Sequence, residues 1–311
     1  MTKKIESLSQ IPANSSGCSR RGFLKLSGAV AGMGGALFLA GCGPAAQGVS
    51  SNESSATDAD ASSETLGDGK TLRVGMEAAY APYNWQTSEE TEFTIPIQNV
   101  SGAYADGYDV QFAKTIADAL GMEPVAVKMS FSGLIDSLNN GQIDIICAGM
   151  SATDERRQAI DFSDPYFEGR FGLLVKKDSA YASATSLEDF SGATVLGQKD
   201  TLLDTIIDDI PNVNHATPVD SVPSQLSQLN QGTCDAITYN VENTDGFLRT
   251  NPDLVAVNFA DGKGFQETVP ANAGIKKGQD AILQKINDAI GTVSQTDRDE
   301  IFQACVDRQP E

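Results

Sequence analysis

From Leu72 onward the chain alternates short apolar runs with amphipathic stretches that stop on glycine, which restricts it to an α/β architecture. Leu72 to Met76 reads as a first strand. Asp109 is placed to cap a helix whose apolar stripe is Val110, Ala113, Ile116, Ala117 and Leu120, stopped by Gly121. Val125 to Met129 reads as a strand. Ser132 is placed to cap a helix carrying Leu134, Ile135 and Leu138 and ended by Gly141. Ile143 to Ala148 reads as a continuous strand of the kind buried on both faces.

The second half repeats this last piece. Ile135, Leu138, Asn139, Gly141, Asp144 and Ile146 match Leu226, Leu229, Asn230, Gly232, Asp235 and Ile237 in spacing. Each set reads helix, glycine stop, aspartate, buried strand. Either two αβ units are alike by chance, or each half has a sheet with a strand ending in an equivalent place. Ligands of open α/β sheets bind beyond the carboxyl ends of strands, here Gly149 to Ser151 and Tyr239 to Asn240. Two such edges facing each other make a cleft. The chain is expected to cross between halves near Glu168 to Arg170, after the turn-rich Asp161 to Tyr166, and to return near Phe259 to Phe265. A terminal helix, Ala281 to Val293, turns Ile282, Ile286, Ala289 and Ile290 inward and is expected to pack on the first half.

The stretch before Leu72 reads as an address. Ser19-Arg20-Arg21-Gly22-Phe23-Leu24-Lys25 precedes an apolar run from Leu26 to Ala40. That run is shorter than the roughly 20 residues a spanning helix takes. The S-R-R-x-F-L-K pattern resembles a twin-arginine leader. A plain secretory signal with a chance Arg pair is the alternative. Leu39-Ala40-Gly41-Cys42 resembles a bacterial lipobox, which implies cleavage before Cys42 and acylation of its thiol. Residues 1–41 are thus expected to be a signal peptide. Residues 42–70, rich in Ser, Ala, Gly, Asp and Glu, are expected to be a disordered tether.

Charge excludes one class of partner. The chain has 22 basic and 42 acidic residues, a formal net charge of -20. Residues 1–41 hold five of the bases and one of the acids, so the remainder stands at about -24. Such a surface repels phosphate backbones, and no nucleic-acid partner is expected. Cys147, Cys234 and Cys305 show no C-x-x-C spacing. They read as three buried thiols, or as one pair and one thiol. There is no G-x-S-x-G, H-E-x-x-H or P-loop, and neither a cofactor nor a metal is expected. His215, the only histidine, reads as a surface residue.

Chemistry gathers at the strand ends. Thr153 can cap a helix opened by Asp154 and Glu155, whose start attracts an anion. Arg156 adds a planar fork suited to a carboxylate, and Ser151 a hydroxyl. These make a carboxylate clamp, or else a solvated helix start with Arg156 and Arg157 on the surface. Tyr80, Tyr83 and Trp85 follow the first strand, with Glu77 among them, and Phe131 follows the next. They make the wall of a small-molecule pocket or the edge of a core.

Residues 71–300 resemble the family of extracellular solute-binding proteins that serve ABC importers of polar amino acids, family 3. The likeness is carried by Leu72 to Tyr83 (LRVGMEAAYAPY), Gly107 to Leu120 (GYDVQFAKTIADAL), Gly133 to Met150 (GLIDSLNNGQIDIICAGM), Ser151 to Arg156 (SATDER) and Asp161 to Tyr166 (DFSDPY). It implies an α/β fold of two lobes, a periplasmic-binding-protein-like clamp of type II. Each lobe is a mixed open sheet flanked by helices, with a hinge between. The lobes are expected at 71–169 with 263–311, and at 170–262. By the same resemblance Arg156 holds the ligand α-carboxylate, helped by Ser151 and the Gly149 backbone. Tyr80 and Phe131 sandwich the ligand side chain, and Glu77 meets its distal end. Thr201 and Leu202 offer backbone N–H groups to the carboxylate, with Asp200 standing where relatives have glycine. Asn240 stands where relatives use an acid for the α-ammonium, and Glu242 is the candidate replacement. The insertion Ser88 to Ala105 is expected by the cleft mouth.

The function implied is capture of a polar amino acid between the lobes and delivery to an ABC permease in the cytoplasmic membrane. The protein would be held on that membrane's outer face by lipid on Cys42. An enzyme on the same scaffold, dehydratase or lyase-like, is one alternative, for which Glu77 and Glu242 could face each other as paired acids. A surface sensor or adhesin module is the remaining alternative, expected to carry more than the one helix read at the chain's end.

Overall fold

The computed structural model describes residues 65–310. The leader, Cys42 and the tether up to residue 64 lie outside the described residues. The tether does not reach residue 70. Leu66 is buried in the core, and the Asp68 carboxylate accepts from the Lys70 and Thr71 N–H groups as the chain turns into its first strand.

Strand β1 (Thr71–Met76) leads into a small antiparallel sheet of β2 (Ala79–Tyr80), β3 (Asn84–Thr87), β4 (Ile95–Pro96) and β5 (Tyr104–Asp106). Then come α1 (Tyr108–Leu120), β6 (Glu123–Lys128), α2 (Leu134–Asn139), β7 (Ile145–Ile146), α3 (Asp154–Ala159) and the long β8 (Ile160–Lys176). The second lobe runs β9 (Thr194–Leu196), α4 (Leu202–Thr205), β10 (Asn214–His215), α5 (Val222–Gln231), β11 (Ala236–Asn240), α6 (Thr244–Thr250) and β12 (Leu254–Ala256). The chain then forms β13 (Thr268–Lys276), α7 (Asp280–Gly291) and α8 (Gln295–Arg308).

The large sheet is ordered β10-β9-β11-β8-β13-β7-β1-β6, with β12 beside β8. Strand β8 serves both lobes. Its residues up to Arg170 pair with β13, and from Phe171 they pair with β11. The expected crossing at 168–170 falls where β8 changes partner. The return comes later than expected, at Thr268, which lies opposite Arg170. Phe259 and Phe265 stay with the second lobe because their rings pack on Phe190 and Phe171.

The repeated spacing is a repeated structure. Strand β7 pairs parallel with β1, and β11 pairs parallel with β9. Gly141 and Gly232 both take left-handed backbone just after their helices. Asp144 donates its N–H to the Arg73 carbonyl and accepts from the Arg73 N–H on the neighbouring strand. Asp235 makes the same two bonds with Thr194. Each aspartate thus locks the register of its strand pair.

Three local expectations change. Asp109 does not cap α1, which starts after Gly107; it lies inside the first turn and is fully buried. Ser132 does not cap α2 but sits within a short turn of 3-10 helix, Phe131–Gly133. Only Ile145–Ile146 of the run 143–148 pairs as strand, although the whole run is buried. Ile282, Ile286 and Ile290 of α7 do enter the first-lobe core, each contributing about 1.5–3 kcal/mol of apolar burial. Helix α8 was not foreseen. Its Phe302 stacks on Phe167, and Arg308 grips both Asp106 oxygens. From the second lobe, Arg249 donates to the Val306 carbonyl. The insertion 88–105 lies away from the cleft mouth. Gln98 bonds to Ala126 at the edge of β6, and the Phe93 ring carries the Arg308 guanidinium at 4.4 Å, so the insertion covers an otherwise open sheet edge.

Candidate functional site

The ends of β1, β6, β7, β9 and β11 converge on one cavity between the lobes. It is lined by Glu77, Tyr80, Tyr83, Phe131, Ala148, Gly149, Ser151 and Arg156 from the first lobe. Gln198, Thr201, Leu202, Leu203 and Asn240 line it from the second, with Val269 and Ala271 on β13. The cavity's volume is about 30 Å³, so the lobes stand close around it.

Arg156 is held on every side. Thr153 caps α3 by accepting the Arg156 N–H, as expected. The guanidinium donates to the Ser151 carbonyl at 2.7 Å and, across the cleft, to the Asp200 carbonyl at 2.6 Å. It also lies 5.3 Å from the Phe131 ring centre. Burial lowers its pKa. Asp200 takes the left-handed backbone that glycine adopts freely, with φ 61. The Ser151 hydroxyl spends its one hydrogen on the Pro270 carbonyl and remains an acceptor.

Glu77 is 7% exposed. The chain reverses at Ala78, whose N–H goes to Asn84, and this directs Glu77 into the cavity. Among the described residues its carboxylate accepts only from the Gln198 amide, at 3.0 and 3.1 Å. Burial pushes its pKa up to about 7, partly offset by that amide. A third bond across the cleft runs from the Tyr80 hydroxyl to Asn240. Behind the wall, Asp109 accepts from Tyr166, Asn84 and the Gly149 N–H. Burial pushes Asp109 up to about 6 against those three bonds.

Nine of the expected residues therefore meet: Glu77, Tyr80, Phe131, Gly149, Ser151, Arg156, Thr201, Leu202 and Asn240. Trp85 and Glu242 do not. Trp85 is buried in the first-lobe core with the Arg308 guanidinium 5.9 Å away. Glu242 accepts from the N–H and Nε of Arg170 outside the cavity, so it neither replaces the missing acid nor faces Glu77 as a catalytic pair. Gln198 was missed, although it lies two residues beyond the end of β9, much as Glu77 directly follows β1. The thiols of Cys147, Cys234 and Cys305 are all free and buried. No cluster among the described residues could hold a metal ion.

A family model described as bacterial extracellular solute-binding proteins, family 3, matches residues 72–304. The chain is 33% identical over 186 residues to a probable histidine-binding protein of Campylobacter jejuni, covering 60% of this chain and 66% of that one. It is 32% identical over 219 residues to an ABC transporter glutamine-binding protein of Bacillus subtilis, covering 69% and 77%. Its structure is similar to the arginine-bound form of truncated ArgBP from T. maritima, with a TM-score of 0.60, 28% identity, and 72% and 96% of the two chains covered. With a two-lobed sheet whose strand ends meet at one cavity, and a family match across nearly all the described residues, the chain belongs to the bacterial extracellular solute-binding proteins, family 3.

Proposed function

We propose that the protein captures a polar amino acid between its lobes and delivers it to an ABC permease. One observation carries this reading. A guanidinium and a buried carboxylate face the same cavity, yet neither pairs with the other. Arg156 donates to carbonyls, and Glu77 accepts from an amide. A zwitterion whose side chain carries hydrogen-bond donors would supply both missing partners: its carboxylate to Arg156, its side chain to Glu77. Tyr80 and Phe131 wall the space between. Asn240 offers its remaining acceptor capacity to the ammonium, and Thr201 and Leu202 line the carboxylate end. Histidine, glutamine and arginine, named as the ligands of those three relatives, all bear such donors.

Ligand bound to the first lobe favours closure by the contacts the second lobe adds, and no bond of the ligand is broken. Export through the twin-arginine-like leader and anchoring through acylated Cys42 complete the reading. A Cys42→Ser variant is then expected to leave the membrane fraction. Melting the mature chain against each of the common amino acids tests the core of it. At about 100 times Kd the bound ligand adds roughly 2.7 kcal/mol, and one or a few polar amino acids should raise Tm. Silence from all of them, or turnover of the one that binds, would overturn the proposal.

A further inference from the structure

We propose that His215 is a positioning residue for this site, pinning the start of α4 against the cavity while its ring carries both protons. The inference rests on the amino-acid-binding reading above. On β10, the His215 Nε2 lies 2.8 Å from Asp204 on α4, and Nδ1 lies 2.9 Å from Asp208 in the 3-10 turn that follows. A neutral imidazole has one N–H, so two carboxylates are satisfied together only by the imidazolium.

What the ring holds matters to the cavity. Asp204 directly follows Leu202 and Leu203, which line it, and Asp200, whose carbonyl crosses to Arg156. Helix α4 has four residues, and its Thr201 N-cap makes no side-chain capping bond; the Thr201 hydroxyl donates to the Gln198 carbonyl. So short an uncapped helix does not hold its own shape. Its anchors are external. One is close packing at Gly197, where an added Cβ would sit 2.4 Å from the Asp204 Cα. A second is the buried Thr238 hydroxyl of β11, which donates to the Leu203 carbonyl. A third is His215, which holds Asp204 and Asp208 from β10.

Partial burial pulls the His215 pKa down, but the hydrogen bonds and charges of Asp204 and Asp208 outweigh it and the net direction is up. Strand β9, against which β10 pairs, brings Thr194 and Val195, neither of which titrates. The sign follows. The anchor is complete at low pH and is lost as pH rises through the raised pKa, so affinity weakens in that direction.

His215 is the chain's single histidine, so one imidazole NMR signal reports it. The ring is titrated from about pH 5.5 to about pH 8, alone and with L-arginine or L-glutamine, whose side chains do not titrate there. By reciprocal linkage, a ligand that raises the His215 pKa by about half a unit must lose about threefold in affinity as the ring deprotonates. Calorimetry on wild type and His215→Gln should show that extra threefold loss only in wild type. The Glu77 titration is common to both proteins and cancels in their ratio. Parallel affinity profiles with a ligand-independent His215 pKa would overturn the inference and leave the functional reading standing. No binding at any pH would overturn the reading and the inference with it. If His215→Gln fails to fold, the wild-type titration alone decides.

Discussion

The two lobes approach the ligand cavity with different chemistry. The first brings charge: Arg156, Glu77 and, behind Gly149, Asp109. The second answers with neutral groups: the Gln198 amide, the Asp200 carbonyl and the Asn240 side chain. On the proposed function this is a division of labour: one lobe would select the ligand by charge, and the other would close over it through bonds between at most one ion and a neutral partner. Such bonds are worth about 1.5–3 kcal/mol each, against the larger cost of separating buried ions, so closure stays reversible.

The same asymmetry runs through the repeated αβ units. In the first, Arg73 adds an ion pair to the register lock, at 2.6 Å from a nearly buried Asp144. In the second, Thr194 stands at the Arg73 position and offers only its backbone.

Substitutions can break this contrast. Arg156→Ala should have the largest effect, costing roughly 3–5 kcal/mol of ligand binding, at least about 100-fold in Kd by calorimetry. Glu77→Gln tests charge at the cost of stability. The carboxyl holds its proton to about 7 when folded, against an ordinary 4.5. Stability therefore falls as pH rises between those values, because the folded state binds the extra proton. Glu77→Gln should remove that slope in pH-dependent melts, stabilising the protein above pH 7 by up to about 3 kcal/mol. It should weaken L-arginine binding at the same time. Arg73→Ala should cost about 2–3 kcal/mol in denaturant melts by leaving Asp144 without its cation, whereas Thr194→Ala should cost under about 1 kcal/mol. Equal losses would erase the contrast between the units. Smallest is Tyr80→Phe, which removes one neutral bond across the cleft. It should cost about 1 kcal/mol of affinity, seen mainly as faster ligand release.

Much of this was legible in the chain. Glycine stops and the two register aspartates announced the repeat, because backbone geometry allows few other residues at those corners. Strand ends then pointed to Glu77, Gly149 and Asn240. What stayed hidden depends on contacts distant in sequence. Asp109 looks like a helix cap, and only the fold brings Tyr166 and Asn84 onto it. Trp85 and Glu242 have the chemistry of site residues, but Arg308 and Arg170 claim them. Helix α8 carries only a short apolar stripe, Ile301, Phe302, Cys305 and Val306, confined to its second half. Its position is set by Asp106 and the Phe167 ring rather than by periodicity.

A crystal structure with the amino acid that raises Tm most would examine the shared cavity itself. The ligand carboxylate should lie about 3 Å from the Arg156 guanidinium, with a donor of its side chain on Glu77 and Gln198 displaced from that carboxylate. A ligand seated elsewhere, or turned with its carboxylate away from Arg156 while Arg156 keeps the Asp200 carbonyl, would contradict the account.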